Sequence, residues 1–387
     1  MMKKLFSIDK KALSPPLYTR YETKFDLIYF ALVSILALFG TLMVFSAGGP
    51  YAYARYGDSA YFVKKQALWL LFGILTMLFA SRIKPEFIKA ITPILYLITI
   101  FLLILVLITG FVGNGAKRWI SIGPFTIQPS EFAKFTLILI MARYFSDNDK
   151  TRETRSKRTV FIHSTLYPVI LMLLPIILVM LQKHLSCIII LGLLGLLMIV
   201  SSGAALRYIK AACLLGGAGI FSLAVFTDYT KDRITVWQNP EAYKLTGGWQ
   251  TLQGLMAIGS GGIFGVGYGN SVMKHCYVSE PANDMIFSIL CEELGLVGAL
   301  AALLLFGALI YRGFKIAIES DDTFSRLTAF GISAKMAIQT LLNVAVVTNT
   351  IPNTGISLPF FSYGGSSLVM IFLEMGIMLS ISRKAKI

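Results

Sequence analysis

Residues 90–109 read AITPILYLITIFLLILVLIT, twenty consecutive positions without a charged side chain. The hydrocarbon core of a bilayer is roughly 30 Å thick, and a helix needs about 20 apolar residues to cross it. This stretch therefore predicts a transmembrane helix. Runs of the same kind recur along the chain and predict about ten spans, near residues 26–46, 66–82, 88–110, 130–145, 163–181, 185–202, 207–227, 285–311, 327–348 and 364–382.

The composition agrees with this interpretation. Of the 387 residues, 56% are hydrophobic and 14% are charged, a ratio that a soluble domain of this size could not cover with polar surface. We therefore predict an all-α, polytopic integral membrane protein. Its four cysteines lack paired spacing and its three histidines are scattered, so no metal centre or other cofactor is expected, although dependence on a divalent cation stays open.

The basic residues predict the orientation. Lys and Arg outnumber Asp and Glu by 35 to 20, and in a membrane protein such an excess marks cytoplasmic loops, with no nucleic acid implied. Residues 1–25 carry six Lys or Arg and no cleavable signal, so we predict a cytoplasmic tail there, and a second one at 384–387. The membrane domain between them is predicted at 26–383, with another basic cytoplasmic loop at 143–158.

Two predicted external segments are longer than a turn requires, residues 111–129 and 228–284, and function tends to lie in such loops. In the first, Lys117 and Arg118 beside Trp119 suit an anionic headgroup, or equally a snorkelling pair with an aromatic anchor. Just after it, Glu131 and Lys134 are spaced to pair on one helix face. A functional and a structural role for this pair remain equally open.

The second external segment ends at Asp284, where the eighth span begins. This carboxylate could cap the helix, or it could serve as a general base that the helix end keeps ionised. Arg233 and Lys274 in the same segment could balance negative charge on a leaving group. A lone carboxylate with nearby cations suits transfer from a phosphate-linked donor better than hydrolysis by two carboxylates.

The last external loop, residues 348–367, has no charged side chain. It lacks the G-x-S-x-G elbow of a serine hydrolase, and we predict a glycine-rich re-entrant turn instead. Within the eighth and ninth spans, Glu292, Glu293 and Lys335 are predicted to face the interior of the bundle and to pair with opposite charges.

Several of these stretches, taken together and in order, closely resemble the SEDS family (shape, elongation, division and sporulation), which includes FtsW, RodA and SpoVE. The resemblance extends from about Tyr29 to Arg383. Its most specific parts are GAKRWI at 115–120, QPSEFAK at 128–134, the glycine-rich stretch 257–271, Asn283-Asp284, and PFFSYGGSS at 359–367. Asn before the aspartate resembles the FtsW and SpoVE branch, which favours division or sporulation over elongation.

The resemblance implies a peptidoglycan glycosyltransferase of the bacterial cytoplasmic membrane. Such a protein polymerises lipid II beside a class B penicillin-binding protein, within a division or sporulation complex. Asp284 falls on the family's catalytic carboxylate, which would deprotonate the acceptor sugar's 4-hydroxyl for inverting attack on a pyrophosphate-linked donor. We expect substrate contacts from Arg233, Lys274, Lys117, Arg118, Trp119, Glu131, Gln253, Glu280 and Ser366.

The chain departs from the family pattern at a few positions. Residues 183–186 read Lys-His-Leu-Ser where many members have Pro-Asp-Leu-Gly, Met273 replaces a usual Gln, and Ala282 a usual His. Two other functions stay open on the sequence. One is a lipid II flippase, with intramembrane charges along a headgroup path, and the other is a scaffold for wall enzymes without chemistry of its own.

Overall fold

The computed structural model describes residues 25–113, 116–123, 125–148, 162–202 and 228–385. The α-helices in these residues are α1 Leu27–Tyr56, α2 Tyr61–Ala80, α3 Pro85–Thr109, α4 Pro129–Asn148, α5 Tyr167–Leu181, α6 Leu185–Ser201, α7 Asp228–Gln238, α8 Gly248–Gly261, α9 Ile286–Ile318, α10 Thr323–Val347 and α11 Gly365–Ser382. The strands are β1 Phe111–Gly113, β2 Ala116–Ile122 and β3 Phe125–Ile127, and a π-helical turn Ile162–Leu166 precedes α5.

The helices confirm a polytopic membrane protein. In the described part of the chain, six helices are long and apolar enough to cross a membrane, namely α1, α2, α3, α9, α10 and α11, while α5 and α6 are shorter apolar helices. The predicted span at 207–227 lies outside the described residues, as do most of the two predicted tails. The number of spans therefore stays a prediction.

Helix α4 is the central helix of the bundle. Its side chains from Leu137 to Ala142 are all fully buried, and it packs against α3, α6 and α10. Glu131 and Lys134 lie in its first turns and pair with each other over 2.7 Å, as their spacing predicts. Because protein surrounds this helix on all sides, it carries charged residues that a lipid-facing helix could not.

The described residues of the first segment predicted to be external, 111–129, fold into a small antiparallel sheet in the order β1-β2-β3. Strand β2 pairs with both neighbours, with Phe111 opposite Trp119 and Ile120 opposite Ile127. The all-α prediction missed this sheet, because strands of three to seven residues contain too few positions to show an alternating pattern.

Contacts at one end of the bundle join the two ends of the described chain. The Asp26 amide donates to the Ser382 hydroxyl over 3.1 Å, and Arg312 near the end of α9 pairs with the Asp26 carboxylate over 2.6 Å. Lys384 pairs with Glu86 at the start of α3. The start of α1 and the end of α11 therefore lie on the same side of the bundle.

The backbone of α9 is broken at Gly295, where φ is 65° and ψ is −165°. The break leaves the carbonyls of Glu292 and Glu293 without helical partners, and the amides of Val266 and Gly267 each donate to one of them over 3.0 Å. In return, the amides of the two residues after Gly295 donate to the Gly262 and Ile263 carbonyls over 3.0 and 3.1 Å. The turn after α8 thus satisfies the backbone groups that the broken helix exposes.

The side chains of Glu292 and Glu293 hold the following loop. Glu292 accepts hydrogen bonds from the Ser271 hydroxyl over 2.5 Å and from the Val272 amide over 2.9 Å. Glu293 pairs with Lys274 over 2.8 Å, and both are almost fully buried. The first nine residues of α9, which directly follow the turn that contains Asp284, are therefore fixed to the loop 262–274.

The third charge predicted to pair in this region, Lys335 on α10, contacts a different partner. Its ammonium lies 2.5 Å from Glu374 of α11, and both side chains are fully buried. The prediction of a buried ion pair is confirmed for Glu293 and Lys335. Glu292 is buried as predicted, but within the described residues its carboxylate accepts hydrogen bonds from a hydroxyl and from backbone amides instead of pairing with a cation. The sequence could not identify the partners, Lys274 and Glu374, because one comes from a loop and the other from a different helix.

The orientation is tested with single cysteines in a background where the four native cysteines are replaced by Ser. We expect Tyr243→Cys, at a side chain that is 39% exposed, to react with a membrane-impermeant thiol reagent in intact cells. Asn148→Cys at the end of α4 should react only after lysis, because 143–158 is predicted to be cytoplasmic. Labelling of Asn148→Cys with protection of Tyr243→Cys would reverse the orientation.

The buried Lys274–Glu293 pair is tested by removing one charge and then both. Lys274→Met leaves Glu293 buried without its counter-charge, which typically costs about 3–5 kcal/mol, so we expect a clearly lower thermal midpoint in detergent. The double variant Lys274→Met/Glu293→Gln should recover most of the loss. The matched control is Lys64→Met, whose pair with Asp58 is solvent-exposed and should contribute little. Equal midpoints for Lys274→Met and Lys64→Met would contradict the assignment.

Candidate active site

Asp284 lies in the turn that leads into α9, and it does not cap that helix. The N-cap is Met285, which makes no side-chain capping hydrogen bond. The carboxylate is partly buried, with Gly355 of the last external loop beside it. Of the two roles that the sequence leaves open, the structure therefore gives no support to the helix cap.

The surroundings of Asp284 change its acidity. Burial raises the pKa of this carboxyl to about 6 from an ordinary value of 3.8, and the negative charge of Glu280 adds to the rise. A hydrogen bond from its own backbone amide and the positive charge of Arg233 act in the opposite direction. A carboxylate with a pKa near 6 is ionised at neutral pH, yet is basic enough to take a proton from a hydroxyl group in a transition state.

Helix α7 brings Arg233 to the site. The guanidinium donates to the Asn353 carbonyl, and one turn further along the Trp237 indole donates to the Asn349 carbonyl over 2.9 Å. The Asn353 side chain in turn donates to Gln250 of α8 over 3.1 Å. The last external loop thus connects the helices that carry Arg233 and Gln250.

Gly355 lies directly beside the carboxylate of Asp284. A Cβ atom at this position would lie 3.3 Å from Asp284 Oδ2, and φ is +71°, a conformation that side chains disfavour. The absence of a side chain here keeps space beside the carboxylate for an incoming group. Glu280 lies on the other side of the turn, where its carboxylate accepts from the Asn283 amide group over 2.5 Å.

Two further candidates lie on helices next to this turn. Gln253 is 8% exposed on α8, which packs against the first part of α9. The adjacent Gly254 lies against Met285, where a Cβ would come within 2.5 Å of the Met285 methyl group. Ser366 is partly buried in the first turn of α11. The structure places these side chains at the end of the bundle where the turn with Asp284 lies.

The candidates of the first external segment reach the site indirectly. Lys117 is exposed and Trp119 is partly buried on β2, while the Arg118 guanidinium donates to the Lys183 carbonyl just before α6. Three residues on, the Ser186 hydroxyl donates to the Thr354 carbonyl, next to Gly355. The stretch 183–186, which departs from the family pattern, therefore joins the small sheet to the loop beside Asp284.

The structure pairs Lys274 with Glu293 of α9. Its ammonium contacts Glu293, the Ser46 hydroxyl and the Gly269 carbonyl within 3.0 Å, and its side chain is 4% exposed. The charged groups that act on the Asp284 carboxyl are Glu280 and Arg233. A contact between Lys274 and a substrate stays a prediction, and its observed role is to brace α9.

Among the described residues, no group of three or more His, Cys, Asp and Glu side chains is placed to hold a metal ion. The residues that sequence reasoning missed are uncharged polar groups, namely Asn343, Asn353 and Ser362. A single Asn in the apolar run of α10 is the only one of these that the sequence could have indicated, since a buried amide requires partners.

Comparison with known proteins agrees with the geometry. A family profile named for FtsW, RodA and SpoVE and described as "Cell cycle protein" matches residues 26–387. Stage V sporulation protein E of Bacillus subtilis is 37% identical over 370 residues, covering 95% of this chain and 100% of that protein. The "Probable peptidoglycan glycosyltransferase FtsW" of Geobacter sulfurreducens is 35% identical over 366 residues, covering 94% and 96%.

Solved structures share the fold. A chain described under "Structural coordination of polymerization and crosslinking by a peptidoglycan synthase complex" aligns with a TM-score of 0.77 and 25% identity, covering 93% of this chain and 98% of that one. The rod shape determining protein RodA of Thermus thermophilus aligns with a TM-score of 0.69 and 25% identity, covering 94% and 98%. The chain belongs to the family of FtsW, RodA and SpoVE.

Proposed function

We propose that this multi-pass protein of the bacterial cytoplasmic membrane is a peptidoglycan glycosyltransferase that polymerises lipid II, with Asp284 as its general base. The observation that carries the proposal is a partly buried carboxylate with a raised pKa, which lies beside Gly355 and in the field of the Arg233 cation. The names of the relatives in the family support the same activity.

The chemistry follows from this arrangement. The Asp284 carboxylate takes the proton of the acceptor sugar's 4-hydroxyl, and the oxygen then forms a bond to the anomeric carbon of the donor. The bond from that carbon to the pyrophosphate breaks, and the lipid pyrophosphate leaves with the electron pair. Arg233 is placed to stabilise the developing negative charge. Attack opposite the leaving group inverts the anomeric carbon.

A partner that crosslinks the product agrees with the comparison, because the structural neighbour comes from a complex that couples polymerisation and crosslinking. We assign this role to a class B penicillin-binding protein. The similarity to a stage V sporulation protein and to FtsW proteins supports a division or sporulation complex as the setting.

The flippase alternative gains no support from the intramembrane charges that the structure describes. Three pairs, Lys335–Glu374, Lys134–Glu131 and Lys274–Glu293, have nitrogen–oxygen distances of 2.5, 2.7 and 2.8 Å. Each of these charges is buried and ion-paired within the protein, whereas charges along a headgroup path are expected to face a water-filled cavity.

Replacing Asp284 with Asn separates chemistry from structure. We expect Asp284→Asn to lower polymerisation of labelled lipid II by purified protein about 10²- to 10⁴-fold, with or without the partner, because Asn cannot accept the proton. Asp232→Asn, an exposed carboxylate beside Arg233, is the matched control and should polymerise normally. Near-normal polymer from Asp284→Asn would exclude Asp284 as the base.

The same variant should not lose stability. Because the pKa of Asp284 is about 6 in the folded protein, above its value of 3.8 when unfolded, ionisation costs folding free energy as the pH rises from about 4 to 6. Asn removes this cost, so at pH 7.5 the thermal midpoint of Asp284→Asn should equal or exceed that of the wild type. A clearly lower midpoint would instead indicate a structural role for the carboxylate.

The dependence of the rate on pH tests the role of Arg233. Since the base must be ionised, kcat/KM for lipid II should fall as the pH drops through about 6, tenfold per pH unit below it. Arg233→Gln removes the charge that lowers the pKa of Asp284, so the acid limb should move to higher pH and kcat should fall. An unchanged acid limb and turnover within about twofold of wild type would remove Arg233 from the site.

A further inference from the structure

The turn that contains Asp284 is held by hydrogen bonds to three consecutive peptide carbonyls. Each accepts a hydrogen bond from outside its own segment: Ala282 from the Tyr363 amide over 2.8 Å, Asn283 from the Ser362 hydroxyl over 2.8 Å, and Asp284 from the Asn343 side chain over 3.0 Å. The donors come from α10 and from the uncharged loop before α11. We call the side chains of Asn343 and Ser362 the carbonyl clamp.

Helix α9 does not hold these carbonyls firmly. Its Ser288 amide donates to the Met285 carbonyl over 3.1 Å, and the Ile286 amide donates to Asn283 over a long 3.4 Å. The Asp284 carbonyl thus lies ahead of the helical hydrogen-bond ladder. Residues ahead of a helix keep rotational freedom unless other groups pin them. The clamp supplies that restraint.

Asn343 joins the two sides of the site. Its side chain is fully buried, and the same amide nitrogen that donates to Asp284 also donates to the Ile356 carbonyl over 2.6 Å. Ile356 follows Gly355, which lies beside the Asp284 carboxylate. A single amide group on a rigid helix therefore sets the separation between the carboxylate and the backbone opposite it.

Ser362 fixes the loop that supplies the other donors. Its hydroxyl donates to the Asn283 carbonyl and accepts from the Leu358 amide over 2.7 Å, so it closes a turn within the last loop while holding the catalytic turn. The amide of Tyr363, next in sequence, donates to the Ala282 carbonyl. The loop packs tightly against α1, where a Cβ on Gly40 would lie 2.3 Å from the Phe360 carbonyl oxygen.

We propose that Asn343 and Ser362 are positioning residues of the glycosyl transfer, which hold the Asp284 carboxylate at its working distance from the acceptor hydroxyl. This inference rests on the proposed function. General-base catalysis requires the carboxylate within hydrogen-bonding reach of the proton, and a displacement of about 1 Å can cost on the order of 10²-fold in rate. Neither clamp residue needs to touch substrate.

The charges around Asp284 make a loosened clamp detectable. Glu280 from its own segment and Arg233 from α7 are the charged groups that act on it, while α10 contributes the neutral Asn343. The last loop contributes no charged side chain and one titratable group, Tyr363. Burial is the main cause of the raised pKa, so a carboxylate that drifts towards water should have a lower pKa.

The test compares Asn343→Leu and Ser362→Ala with wild type in lipid II polymerisation. We expect kcat to fall about tenfold or more, KM to stay within about twofold, and the acid limb of kcat/KM to move below pH 6. The control is Ser333→Ala, a buried serine of α10 whose hydroxyl donates to the Ala329 carbonyl of its own helix over 2.8 Å. It should match wild type in all three quantities.

A fall in kcat without a shift of the acid limb indicates general destabilisation and overturns the proposal, as does unchanged kcat. If Asn343→Leu does not fold, Ser362→Ala decides the question alone, because this side chain is only partly buried. Asp284→Asn is measured in parallel. Activity in that variant refutes the proposed function. If Asp284→Asn is inactive but the two clamp variants polymerise like the wild type, only the role of the clamp is refuted.

Discussion

The constraint on which this structure depends is that a bilayer offers no water to unpaired backbone groups. Most of the described chain satisfies its backbone groups by forming helices. The region around the candidate site satisfies its backbone groups differently. Helix α9 breaks at Gly295, and the backbone after α8 forms hydrogen bonds with both sides of the break. The turn before α9 satisfies its backbone groups through donors from α10 and the last loop. Irregular backbone can therefore persist at the site because other parts of the protein satisfy it.

The need to satisfy buried polar groups also determines which charged side chains are available for chemistry. Deep in the bundle, Lys335, Glu374, Lys134 and Glu131 neutralise one another in buried pairs, and Lys274 does the same with Glu293. Asp284 differs, because burial and Glu280 raise its pKa and Arg233 offsets them only partly. A group in this state is ionised at neutral pH but favours taking up a proton, which is the property that a general base needs.

Much of the fold was predictable from the sequence, because apolar runs such as 90–109 are long enough to span a membrane and nothing competes with that signal. Asp284, Arg233 and Glu280 were predictable as a group, since they share one external segment. The brace formed by Lys274 was not, because an ammonium gives the same sequence signal whether it faces a pyrophosphate or Glu293. Asn343 and Ser362 were also missed, since their role depends on contacts between residues 59 and 79 positions apart. Short strands such as β3 carry too few residues for a pattern.

The proposed chemistry requires that one carboxyl group, Asp284, has a raised pKa and acts as the base. The most direct measurement is an infrared difference titration of the purified protein, in which the spectrum of Asp284→Asn is subtracted from that of the wild type. We expect one carboxyl band that titrates with a midpoint near pH 6, at the same pH as the acid limb of the wild-type rate. A midpoint near 4, or a midpoint that does not coincide with the acid limb, would contradict it.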